Sequence, residues 1–116
     1  MENVSAQPTA FPPGTIICAG EALIDLFAPP ARDWSEIDHF VPRIGGAPAN
    51  TSVCIRRLGG HSAFLGCLAD DDPGRWIRSR LSEEGVDLSA ATVIKGAQTR
   101  LAVVTGPDEH RDFDFY

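Results

Sequence analysis

Six consecutive residues, Gly45-Gly46-Ala47-Pro48-Ala49-Asn50, combine the types that can hold a hydroxylated or anionic ligand against the start of a helix. Glycine adopts positive φ and lets a ligand approach the backbone closely. Pro48 suits the first helical position, where its missing N–H costs nothing. The N–H groups of that first turn have no partner within the helix, so they face hydroxyls or anions. Asn50 adds a side-chain donor and acceptor on the same turn. The same six residues also describe an ordinary tight turn from strand to helix. Upstream, Asp25 offers a carboxylate at the end of an apolar run, where it can accept from two adjacent hydroxyls of one ligand. Its plainer reading is a solvated charge at a hinge.

These residues need elements to hold them. Thr15 to Gly20 is a short apolar run ending in glycine, the pattern of a strand buried on both faces. A helix is expected from about Pro48 to Leu58, with Ala49/Val53 and Cys54/Leu58 as inner pairs and Gly59 at its end. Ser62 to Gly66 reads as the next buried strand. Asp72 then caps a second helix with Pro73 at its first position, Ile77 and Leu81 inside and Gly85 at its end. Thr92-Val93-Ile94 is a third short strand. Strand, helix, strand, helix, strand implies a parallel sheet with right-handed crossovers.

The segment from Glu21 to Ala47 is too long for a simple α/β loop. Leu23 to Phe27 and His39 to Pro42 read as strands leaving the main sheet, as do Thr99 to Thr105 and Arg111 to Phe115. Gly106-Pro107-Asp108-Glu109 makes the turn between the last two. A small second sheet beside the α/β body follows.

From Gly45 the chain runs GGAPANTSVCIRRLGGHSAFLGCLADDDPGRW, and ICAGEALIDLF stands before it. Together these resemble the ribokinase (PfkB) family of carbohydrate kinases, closest to its fructokinase-like branch. Gly20 to Asp25, Gly45 to Asn50, Leu58-Gly59-Gly60, the Gly66…Asp70-Asp71…Gly74 segment, Gly85-Val86-Asp87 and Thr99 carry the likeness in order, from about Ile16 to Tyr116. Ala69 and Pro73 depart from residues common in the family, neither at a position expected to touch substrate.

The resemblance implies an α/β, ribokinase-like parallel sheet with flanking helices and a small β-sheet lid formed by strands around 23–44 and 99–116. On this reading residues 1–14 are a disordered leader, and 15–116 form the N-terminal half of a carbohydrate kinase domain. It further implies that Asp25, Gly45, Gly46 and Asn50 bind the sugar. No catalytic residue is expected within this chain. ATP and Mg²⁺ are expected for the full-length enzyme, whose glycine-rich GAGD-like segment has no counterpart here. The implied activity is ATP-dependent phosphorylation of a sugar hydroxyl, with fructose the leading acceptor and this chain inactive alone. A homodimer through the lid strands is a further implication. The alternative is a non-catalytic sugar-binding or dimerisation module.

Composition narrows the partners. The net charge is −6, whereas nucleic acids and anionic membranes select basic surfaces. No apolar run approaches a membrane span, and MENVSAQPTAFPPG lacks the character of a signal peptide, so a cytoplasmic location is expected. Cys18, Cys54 and Cys67 lack disulfide or zinc spacing and read as buried free thiols; with three scattered histidines, no protein-built metal site is expected. Asp70, Asp71 and Asp72 are read as helix capping. Arg100 is placed on a lid strand, either touching a phosphate or carboxylate of a substrate or solubilising the surface. Phe113, Phe115 and Tyr116 are read as core or dimer-interface aromatics.

Overall fold

A computed structural model describes residues 11–116. Residues 1–10, most of the expected leader, lie outside the described part. The leader's end is a turn, with Thr15 N and Oγ1 both donating to the Pro12 carbonyl at 3.1 and 2.6 Å.

Strand β1 (Ile16–Ala19) is followed by β2 (Leu23–Phe27), a one-turn 3₁₀ segment at Trp34–Glu36, and β3 (Val41–Gly45). Helix α1 (Ala47–Arg57), β4 (Ser62–Leu65), β5 (Cys67–Ala69) and α2 (Asp72–Glu83) come next. Strands β6 (Thr92–Ile94), β7 (Leu101–Thr105) and β8 (Asp112–Phe115) complete the order.

The body is parallel, as expected. β1 pairs with β4 from Ile16↔Ser62 to Ala19↔Leu65. The expected third strand is found at Thr92–Ile94 as β6. Asp87 forms an isolated parallel bridge with Ala63, and β6 pairs further along with β5, from Cys67↔Thr92 to Ala69↔Ile94. Strand β5 was not anticipated. Its three residues follow Gly66 directly, and the Gly66 carbonyl accepts from Thr92 N at 2.9 Å. The break in the first strand pair at Gly66 is therefore copied into its neighbour.

The second sheet runs β3-β2-β7-β8. β2 is antiparallel to β3, from Leu23↔Gly45 to Phe27↔Val41, and parallel to β7, from Ile24↔Leu101 to Phe27↔Val104. The expected strand at His39–Pro42 is shifted toward the helix, because pairing with β2 carries it to Gly45. Pro42 is tolerated there because β3 is an edge strand.

Ile24, Ala49, Phe64, Leu68, Ile77, Leu81 and Val86 form the buried core between the two sheets and the helices. Ile77 and Leu81 point inward as expected. Cys54 and Leu58 do not; both are exposed. The expected pair Ala49 and Val53 does face inward, Ala49 buried in the core and Val53 packed against it, and Ser52 is buried beside them. The small Ala49 and Ser52 let the helix sit close to β4, and the polar groups are satisfied: Ser52 Oγ donates to Ala49 O at 2.6 Å, and Ser62 Oγ to Ser52 O at 2.7 Å. Leu58 is already the C-cap, past the helix face. Of the three thiols only Cys18 is buried, so the expectation of three buried cysteines fails at Cys54 and Cys67.

Candidate functional site

Strand β2 carries Asp25 into the lid sheet, opposite Arg43 on β3 and Ala102 on β7. Its side chain is half-buried, and burial pushes its carboxyl above the ordinary value. Arg43, directly across the strand pair, does not neutralise it. That guanidinium lies over the Phe27 ring, 4.9 Å from its centroid, with Arg111 on the same ring at 5.8 Å. Among the described residues no side-chain hydrogen bond or ion pair engages Asp25, and neither of its oxygens is sealed from solvent. It is a partly desolvated acceptor with free lone pairs.

Gly45 makes room for that carboxylate. A Cβ at Gly45 would stand 2.5–2.7 Å from the Asp25 carboxyl atoms, so any side chain there would push Asp25 out of place. Gly46 is required for a different reason. It is the N-cap of α1 with φ +94°, and a Cβ there would meet the Glu21 carbonyl oxygen at 2.6 Å and Ala22 Cα at 3.2 Å. The close approach at Gly46 is thus to this chain's own backbone. Asn50 N donates to Gly46 O at 3.0 Å and closes the first helical turn, leaving its side chain exposed beside the cradle. Pro48 lies within the first two helical positions.

The structure therefore joins three of the four expected residues through backbone and side-chain proximity: Asp25 with Gly45, and Gly46 with the turn that starts α1. Asn50 shares that turn without touching Asp25.

Two residues outside the expected set matter to the arrangement. Phe27 draws Arg43 away from Asp25; nothing short-range in the sequence signals this, because the pairing depends on the β2–β3 register. Thr99 joins the lid to the body. The α2 N-cap is Asp71 rather than Asp72, and its Oδ1 accepts from Gly74 N at 2.7 Å. The same carboxylate accepts from Thr99 N at 2.7 Å and Thr99 Oγ1 at 2.6 Å, just before β7 begins. Burial pushes this carboxyl up, but the Thr99 and Gly74 bonds outweigh it and hold the group below its ordinary value.

Asp71→Asn is expected to cost about 1–2 kcal/mol, because an amide presents a donor where the carboxylate now accepts three bonds. With its native pKa lowered, Asp71 stabilises the fold above its unfolded value near 3.8 and loses that contribution as pH falls through the lower native value. Urea midpoints of wild type and variant should differ at pH 7 and converge in strong acid.

The pattern of the family described as "pfkB family carbohydrate kinase" matches residues 14–116. The chain is 42% identical to "Fructokinase" of Solanum tuberosum over 97% of its own length and 36% of the relative's. It is 43% identical to "Probable fructokinase-3" of Arabidopsis thaliana over 89% of its own length and 30% of the relative's. Among solved structures, fructokinase with bound ATP from Xylella fastidiosa superposes with a TM-score of 0.76 at 40% identity, covering 89% of this chain and 30% of that one. Fructokinase from Vibrio cholerae gives a TM-score of 0.74 at 34% identity, covering 90% and 34%. The chain spans about a third of the length of the proteins it matches.

Proposed function

The chain belongs to the pfkB family of carbohydrate kinases, phosphotransferases with ribokinase-like folds, and on that premise we propose that it supplies the sugar-recognition half and lid of an ATP-dependent fructokinase-like sugar kinase. Asp25, Gly45, Gly46 and Asn50 are the proposed substrate-binding residues. The observation that carries this reading is the half-buried Asp25 carboxylate, without a side-chain partner among the described residues while the adjacent arginine stacks on Phe27. An ionised, partly desolvated acceptor is suited to two neighbouring sugar hydroxyls. Gly45 keeps that carboxylate in place, Gly46 turns the chain into α1, and Asn50 offers a further donor and acceptor from the first turn.

A kinase of this family uses ATP, which supplies the phosphoryl group, and Mg²⁺ is the proposed counter-ion for its phosphates. The described residues contain no group of three or more metal-ligating side chains, so no step through a metal is assigned to this chain. A homodimer through the lid is the proposed assembly: Phe113 and Phe115 are 50% and 59% exposed on the sheet's edge strand β8. No described helix is long and apolar enough to cross a membrane, and we propose a cytoplasmic location and no nucleic-acid partner.

The test is replacement of the matching third of the Xylella fastidiosa fructokinase by residues 14–116. A folded chimera should phosphorylate fructose well above background and lose that activity with Asp25→Asn. A chimera that binds fructose without turnover would favour the non-catalytic sugar-binding reading, and one that folds without binding any sugar would overturn both.

A further inference from the structure

We propose that Thr99 is a positioning residue for sugar binding: by tying β7 to the Asp71 carboxylate it fixes the strand beside Asp25, and with it the place of the Asp25 carboxylate. This rests on the sugar-binding reading above and adds a residue that acts on that site without touching the sugar. Asp25 has no side-chain hydrogen bond or ion pair among the described residues, so the backbone of β2 sets where its carboxylate stands. Two neighbours hold that strand, β3 with Arg43 opposite Asp25 and β7 with Ala102 opposite it.

The two neighbours are anchored differently. β3 runs through Gly45 and Gly46 straight into α1, so the chain itself fixes it to the body. β7 follows a connection, residues 95–100, that carries no helix or strand. At its start the Ile94 carbonyl accepts from Asp70 N at 3.1 Å, and near its end Thr99 N and Oγ1 donate to Asp71 at 2.7 and 2.6 Å. Packing closes this junction poorly, because the connection borders a crevice of about 270 Å³ floored by Leu68 and Ile77. Asp71 is itself held, since the same carboxylate caps α2 through Gly74 N and α2 buries Ile77 and Leu81. From Thr99 the path to Asp25 is short. The next carbonyl, that of Arg100, accepts from Ile24 N at 3.1 Å, and the register then runs Ile24↔Leu101 and Asp25↔Ala102. A hydroxyl on a carboxylate makes a bond of the stronger, charge-assisted kind. Without it the start of β7 is free to shift, the ladder passes that shift to β2, and the directional bonds from Asp25 to a sugar weaken.

The experiment titrates fructose into the 116-residue chain and its variants at a temperature where urea curves show each to be folded. Thr99→Val keeps the side-chain shape, the Thr99 N–H bond and the α2 cap, and removes only the Oγ1 bond. It should weaken fructose binding about three- to tenfold. Thr99→Ser restores the hydroxyl and should bind as the wild type does. In the Asp25→Asn background the same Thr99→Val change should cost less than about twofold, because the group it positions is gone. Val86→Ala opens the core at the far end of α2 and should lower the urea midpoint at least as far while fructose affinity holds. If Thr99→Val does not fold, Thr99→Ala removes the same hydroxyl with no branched side chain to place. Wild-type affinity in the variant without the hydroxyl, no rescue by Thr99→Ser, an equal loss in both backgrounds, or a matching loss in Val86→Ala would each overturn the proposal while leaving the sugar site standing. Absence of any Asp25-dependent fructose binding in the wild-type chain would overturn both.

Discussion

Asp25→Asn should lower sugar affinity by one to two orders of magnitude without loss of folding stability. A hydrogen bond to a charged acceptor contributes about 1.5–3 kcal/mol, roughly a 10- to 150-fold change in binding. The wild-type carboxylate is partly desolvated and has no side-chain partner among the described residues, so removing its charge relieves the fold rather than straining it. That separates Asp25 from a structural carboxylate such as Asp71, whose loss weakens the fold. The pH dependence follows from the same burial. Because the native pKa is raised, Asp25 protonates at a higher pH than an ordinary carboxyl, and sugar affinity should fall as pH drops through that raised value. Fold stability should shift the opposite way for this group, since protonation removes a desolvated charge. The Asn variant should show a flat affinity profile across the same window. Calorimetric titration at several pH values, beside thermal melts, reads both signatures.

Gly46→Val is expected to break the fold before it affects recognition. At φ +94° a β-branched residue is strained, and its Cβ would press on the Glu21 carbonyl and Ala22 Cα, both backbone atoms that cannot swing aside. Strain and overpacking together imply a loss of about 2–5 kcal/mol, a large share of what a domain of this size possesses. Gly46→Ala should be almost as damaging, because the first carbon already collides. Gly45→Ala makes the contrast. The atoms nearest its Cβ belong to the Asp25 carboxyl group, a side-chain end that can rotate away, so sugar binding should suffer more than the melting temperature. A Gly46→Ala chain with the wild-type melt would contradict the turn described here.

The legible parts of this chain are those set by local chemistry. Gly-Gly followed by Pro48 announces a strand turning into a helix. The apolar run before Gly20 announces a buried strand, and Ile77 with Leu81 mark the inner face of α2. What stayed hidden depends on partners distant in sequence. β5 has three residues, and only pairing with β6 makes it a strand. The cap of α2 falls at Asp71 because Thr99, 28 positions away, shares the same carboxylate. Helical spacing placed Ala49 and Val53 inward correctly but also pointed Cys54 and Leu58 inward, whereas α1 adds the small Ser52 to its buried face. At the site, the family resemblance together with the residue types made Asp25 and Gly45 candidates. They did not reveal that Gly45 clears space for Asp25, or that Phe27 holds Arg43 aside.

The central claim is that sugar recognition resides in this chain and depends on Asp25. Separate titrations of fructose and ATP into the wild-type chain and Asp25→Asn test it most directly. The account predicts saturable sugar binding that Asp25→Asn weakens at least tenfold, with no binding of ATP to either. Equal sugar affinity in the two proteins, or ATP binding without sugar binding, would contradict it.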